Sequence, residues 1–139
     1  MLKYFVFLLT FTWAFNLYSK DLVLITHEKT KVSDLKLEKV KKVYMGQPSG
    51  IKGENIRPLM LSMSHSDTKV FIQDYLKMSM FEFDQYWLEK ELSGQENTPK
   101  TFYSSEKLIE YIKSNKGYIA YISKNSVKKN GLKVIDLKL

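Results

Sequence analysis

The stretch "SHSDTKVF", Ser64 to Phe71, holds the residues best placed to do chemistry in this chain. Three hydroxyls, at Ser64, Ser66 and Thr68, stand with Asp67 and Lys69 just ahead of apolar residues at helical spacing. That is how a helix begins. The first-turn N–H groups of a helix have no intrahelical acceptors, and together with the helix dipole they attract anions. Ser64, Ser66, Asp67, Thr68 and Lys69 are therefore the candidate ligand-binding residues, with a small anion such as phosphate as the ligand class. The same residues also fit a plain helix start, with Ser66 as N-cap and Asp67 as a favourable first-turn acid. Asp67 counts against an anion, because its carboxylate satisfies the dipole and repels an incoming dianion. Both readings stay open at this point.

Other chemistries have less support. His27 and His65 are the only histidines, and they lie far apart with no clustered carboxylates. With no cysteine in the chain, a metal site is not expected, and no cofactor is implied. Serine next to His65 is adjacency in sequence, not the geometry of a catalytic triad. A non-enzymatic protein is expected.

The elements that must position this stretch follow from the apolar patterning. Residues 1–19, "MLKYFVFLLTFTWAFNLYS", have a positive start, an apolar run from Tyr4 to Phe15 and a polar end, the layout of a secretory signal. The run is shorter than the ~20 residues that span a bilayer. Cleavage after Ser19 fits best, with Leu17 and Ser19 at the positions the peptidase reads, and a retained N-terminal anchor is the alternative. The expected location is periplasmic. Residues 20–139 then form a single domain, long enough to build its own core.

"DLVLITHE" (Asp21 to Glu28) is a buried strand by its β-branched apolar run. Ser33 caps a turn ahead of a helix carrying Leu37, Val40, Val43 and Tyr44, stopped by Gly46. "IRPLML" is a second strand, with Pro58 marking an edge or a strand start. After the opening motif, Phe71, Ile72, Tyr75, Leu76 and Met78 form a helical face. "FEFDQYWLEKEL" gives another amphipathic helix with Phe83 and Trp87 inward, ended by Gly94. "SGQENTPKTFY" is loop. Ser104 or Ser105 caps a helix whose Leu108, Ile109 and Ile112 point inward, Gly117 ends it, and "YIAYIS" is a strand. A turn at Asn130-Gly131 leads to a last strand from Leu132 to Leu137. The aromatics Tyr44, Tyr75, Phe83, Tyr86, Trp87, Tyr118 and Tyr121 are expected in the core, with a minority left exposed as a partner surface.

The chain has 22 basic and 15 acidic residues, a formal net charge of +7. Removing residues 1–19 takes away only Lys3. The lysines are scattered among acids, as in "KLEKVKK" and "SVKKNGLK", so a nucleic-acid stripe is not expected and a solvated surface is.

This order of elements resembles the phosphate-type periplasmic solute-binding proteins of ABC importers. "LVLITHEKTKVSDLKLEKVKKVYMGQ" is similar to that family's strand followed by an L-x-x-x-x-L-x-x-I-F-x-G helix. "SDTKVFIQDYL" resembles its S-G-T…F helix start, and "FDQYW" its tryptophan helix. "NTPKTFYSSEKLIEYIKSNKGYIAYIS" resembles its proline, serine cap, helix and glycine-led strand ending. The resemblance implies an α/β fold, one lobe of a type II periplasmic-binding-protein fold with a small mixed sheet flanked by helices. It implies a phosphate-transporter substrate-binding-like protein that binds a small anion or serves a membrane transporter or sensor. The alternative is an envelope interaction module that keeps the fold and has lost solute binding. A homo-oligomer is open in either case. Two departures bear on the choice. Asp67 stands where the glycine of S-G-T would be, and the gripping arginine of the family would fall on Ser62. The nearest arginine, Arg57, is the only one in the chain.

Overall fold

The structure is a computed structural model that describes residues 20–95, 97–128 and 130–139. The signal-like segment, residues 1–19, lies outside the described residues. Among the described residues no helix is long and apolar enough to cross a membrane.

A mixed five-stranded sheet is built from β1 (Leu22–His27), β4 (Arg57–Leu61), β5 (Lys100–Phe102), β6 (Tyr118–Ser123) and β7 (Leu132–Asp136). Its order is β5-β4-β6-β1-β7. β4 runs parallel to both β5 and β6, whereas β1 pairs antiparallel with β6 and with β7. A two-stranded ribbon joins β2 (Val32–Ser33) to β3 (Lys52–Gly53). The α-helices among the described residues are α1 (Leu37–Tyr44), α2 (Ser66–Val70), α3 (Met80–Leu92) and α4 (Ser105–Ser114). The α/β expectation from the sequence holds.

Both faces of the sheet are covered, which explains the near-continuous apolar runs of the central strands. Leu22 and Leu24 of β1, Met60 of β4, and Ile119 and Tyr121 of β6 face α1, α2 and α3. Val23, Ile25, Leu59, Leu61, Ala120 and Ile122 face α4 through Leu108 and Ile112. Alternation along each strand thus sorts its side chains into two cores.

Several local expectations need correction. Ser33 belongs to the β2–β3 ribbon, and α1 starts after Lys36, whose side chain makes no capping bond. Pro58 is the second residue of β4, consistent with a strand start, but β4 is an interior strand. This is allowed because β5 pairs with Leu59 to Leu61, beyond the proline. Lys100 to Phe102, read as loop, forms the edge strand β5. The helical run after Ser66 passes into a π-helical turn over Phe71–Tyr75 and stops at Leu76, so Met78 packs on the core from outside the helix. Of the seven aromatics expected inside, Tyr86 and Tyr118 are only partly buried.

Gly46 ends α1 as expected, in a Schellman motif: its N–H donates to Val43 O at 3.1 Å, and Gln47 N–H donates to Lys42 O at 2.8 Å. Its φ is +64°. A Cβ there would come within 2.9 Å of the Trp87 ring on α3. Gly46→Ala should therefore combine left-handed backbone strain with overpacking and destabilise by about 2–3 kcal/mol. A lowered urea midpoint with an unchanged m-value would record it.

Candidate functional site

The helix start sits at the C-terminal ends of the parallel strands, the end where open α/β sheets take ligands. β4 and β6 form ladder pairs only at Arg57↔Tyr118 and Pro58↔Ile119. Beyond them, side chains from the helices enter between the two strands. The Tyr44 hydroxyl donates to Leu59 O at 2.8 Å, with Ile119 O at 3.4 Å. Burial pushes its pKa well above the usual tyrosine value, so it stays a donor.

Thr68 continues this plug. Its hydroxyl donates to Leu61 O at 3.0 Å and lies 2.9 Å from the Tyr121 hydroxyl. Thr68 is fully buried, and burial also raises the Tyr121 pKa. Given these bonds, Thr68 faces the sheet rather than an incoming ligand.

Asp67 completes it. The residue is 1% exposed, and its Oδ2 accepts a 2.8 Å bond from the Ser123 N–H at the end of β6. Its Oδ1 forms an ion pair with the Lys20 ammonium, just before β1. No donor is aligned on Oδ1 for a hydrogen bond, so that contact is ionic. Lys20 Nζ also donates to Ser66 Oγ at 2.9 Å. A carboxylate of the chain thus lies where the opened sheet and the helix start together would favour an anion.

The cap itself differs from expectation. His65, not Ser66, is the N-cap, and its ring Nδ1 accepts from the Asp67 N–H at 3.1 Å. Ser66 is the first helical residue and is exposed. Ser64 is also exposed, with its Oγ 3.2 Å from Ser62 Oγ. Lys69 is exposed on the helix surface. Of the five residues singled out, the structure groups Ser66, Asp67 and Thr68 and leaves Ser64 and Lys69 outside that network.

Sequence reasoning missed Lys20, Ser123 and Tyr121. The one available signal was the acid in a first turn of apolar spacing, since a buried carboxylate demands a counter-charge and a donor. Arg57 cannot serve this site. It starts β4, at the opposite end from Ser66, and its guanidinium carbon stacks 4.3 Å from the Tyr118 ring centre.

No protein-family profile matches the sequence, and no curated protein does. Solved structures do match. An ABC-type phosphate transport receptor from Vibrio cholerae superposes with a TM-score of 0.62 at 17% identity, over 84% of this chain and 46% of that one. A protein from Clostridium perfringens, described as a phosphate ABC transporter substrate-binding protein and holding bound phosphate, gives 0.61 at 21% identity, over 85% and 44%. PstS from Borrelia burgdorferi gives 0.59 at 20% identity, over 85% and 47%. The chain therefore has the fold of one lobe of these proteins and spans a little under half their length.

Proposed function

We propose that this protein is a non-enzymatic, periplasmic binding module on the one-lobe fold of phosphate-transporter substrate-binding proteins, and that it recognises a protein partner rather than free phosphate. The partner class is a membrane transporter, sensor or other envelope protein. The observation that carries this reading is the buried Asp67 carboxylate, held by the Ser123 N–H and Lys20 at the helix start. A dianion brought to that place would meet an anion already seated.

The α3 surface supports a partner. Phe81, Leu88 and Leu92 are exposed at i, i+7 and i+11, one stripe of the helix, at 71%, 45% and 81%. Exposed Glu82, Asp84, Glu89 and Glu91 flank it, so a basic amphipathic segment is the complementary class.

A second reading, small-anion binding at the exposed Ser64, Ser66 and Lys69 beside the Asp67 carboxylate, is favoured by one contact. Lys20 already bridges Ser66 and Asp67 and is 34% exposed, so its ammonium is within reach of an entering anion. Thermal unfolding with phosphate separates the two. The partner-binding reading expects no rise in Tm at about 10 mM phosphate. A site with a Kd near 1 mM would add about 1.4 kcal/mol, a shift of several degrees. That rise would overturn the proposal. Asp67→Gly, compared with itself with and without phosphate, should show a larger rise than the parent if repulsion is the reason.

A further inference from the structure

The other end of the sheet holds a second feature, unconnected with the helix start. Parallel pairing sets Arg57 level with Tyr118, and Lys100, which starts β5 opposite Leu59, lies near the same end of the sheet. They line a cleft of about 430 Å³ that is closed on its far side by the turn after α1.

Both cations are held by aromatic rings. The Arg57 guanidinium carbon lies 4.3 Å from the Tyr118 ring centre, and Lys100 Nζ lies 4.3 Å from that of Tyr111. Tyr111 and Tyr118 meet edge-on at 5.2 Å, so the two cation–ring pairs form one continuous row. Stacking fixes the guanidinium plane while leaving its N–H edge able to grip a planar anion with two bonds. Among the described residues, neither cation has a carboxylate within ion-pair distance and none that line the cleft is Asp or Glu. Val43, Ile56 and Pro58 add apolar walls, and Gln47 and Asn55 add carboxamides. The volume falls within the range of small-ligand sites, which combine apolar walls with a few convergent polar groups.

We propose that this cleft binds a small organic carboxylate, with Arg57 supplying the bidentate grip, Lys100 a second positive charge and the apolar walls the fit to a carbon body. Arg57 and Ser66 lie at opposite ends of β4 and its following turn, so this site works independently of the Asp67 plug. It stands whether or not the partner-binding reading does.

Amide NMR of the purified protein titrated with citrate, succinate and inorganic phosphate tests it. Citrate should give saturable shifts centred on residues 46, 47, 49, 55–57 and 118, with a Kd of about 1 mM or lower. Arg57→Gln should weaken citrate by about tenfold or more, and Arg57→Lys should recover only part of that loss, because an ammonium lacks the fork. Arg57 is exposed, so these variants keep the fold. Three results would each overturn the proposal: no saturable shift by about 20 mM, shifts centred on Ser66 to Thr68 and Ser123, or unchanged citrate affinity in Arg57→Gln. Phosphate binding here as tightly as citrate would overturn the assignment of an organic ligand, as would tighter binding of a glutamate-rich peptide.

Discussion

Asp67→Ala should destabilise the protein by about 1–4 kcal/mol, a large share of the stability of a domain this size. The main loss is not the ion pair. Lys20 is 34% exposed and regains water when its partner goes, so its contribution is discounted by screening. The cost falls on the Ser123 N–H, which loses its acceptor in a buried place, at about 1–3 kcal/mol. Loss of the first-turn negative charge adds about 0.3–1 kcal/mol. Asp67→Asn retains an oxygen for the Ser123 N–H and should cost roughly half as much. Urea unfolding of the parent and both variants gives the comparison. Asp67→Ala within about 0.5 kcal/mol of the parent would mean that the carboxylate is not holding β6.

The second large effect is expected at Phe71. Its ring stacks on Tyr121 at 4.1 Å between centres, with planes 14° apart, and meets Tyr44 at 4.6 Å. All three residues are at most 1% exposed. The two tyrosines carry the hydroxyls that enter between β4 and β6, so Phe71 is the apolar wedge that aims both. Phe71→Ala should cost about 3–5 kcal/mol, lowering Tm by more than about 10 °C. Near-UV circular dichroism should weaken as the ring cluster loosens. Tyr121→Phe, which removes only the hydroxyl facing Thr68, is the control and should cost about 1 kcal/mol. If the two variants were equally mild, the wedge role would be excluded.

What could be read from the sequence follows the range of the forces involved. β1 and β6 were legible because a strand covered on both faces must be apolar throughout, as in "LVLIT" and "YIAYIS". α4 was legible from local signals, an apolar face and Ser104, whose hydroxyl accepts from the Lys107 N–H. β5 was not. Only Phe102 of its three residues is even partly covered, so no apolar run marks it, and its pairing depends on β4 arriving from elsewhere in the chain. Ser33 has the right chemistry for a cap, but the ribbon with β3 takes its backbone first.

The candidate site was half legible for the same reason. "SHSDTKVF" announced a helix start, which the structure has, and raised the question of an anion. The cap fell to an imidazole, outside the usual serine, threonine and aspartate preference. The anion turned out to belong to the chain. Its counter-charge, Lys20, comes from 46 positions before Ser66, and its donor, Ser123, from 56 positions after Asp67. Nothing local to the motif could name either.

The placement of β1 has a consequence for the order of events in folding. This strand lies between β6 and β7, and its register pairs Leu22 with Ser123 and Val23 with Asp136. The first strand of the domain therefore closes the sheet with the last two, and the Lys20–Asp67 pair at its base can form only then. Loops of about a hundred residues must close before these contacts repay the lost chain entropy, which makes for slow folding. During synthesis, the most hydrophobic strand of the domain waits unpaired until nearly the whole chain has emerged. A sheet that closes this late keeps apolar strand surface exposed while the chain folds.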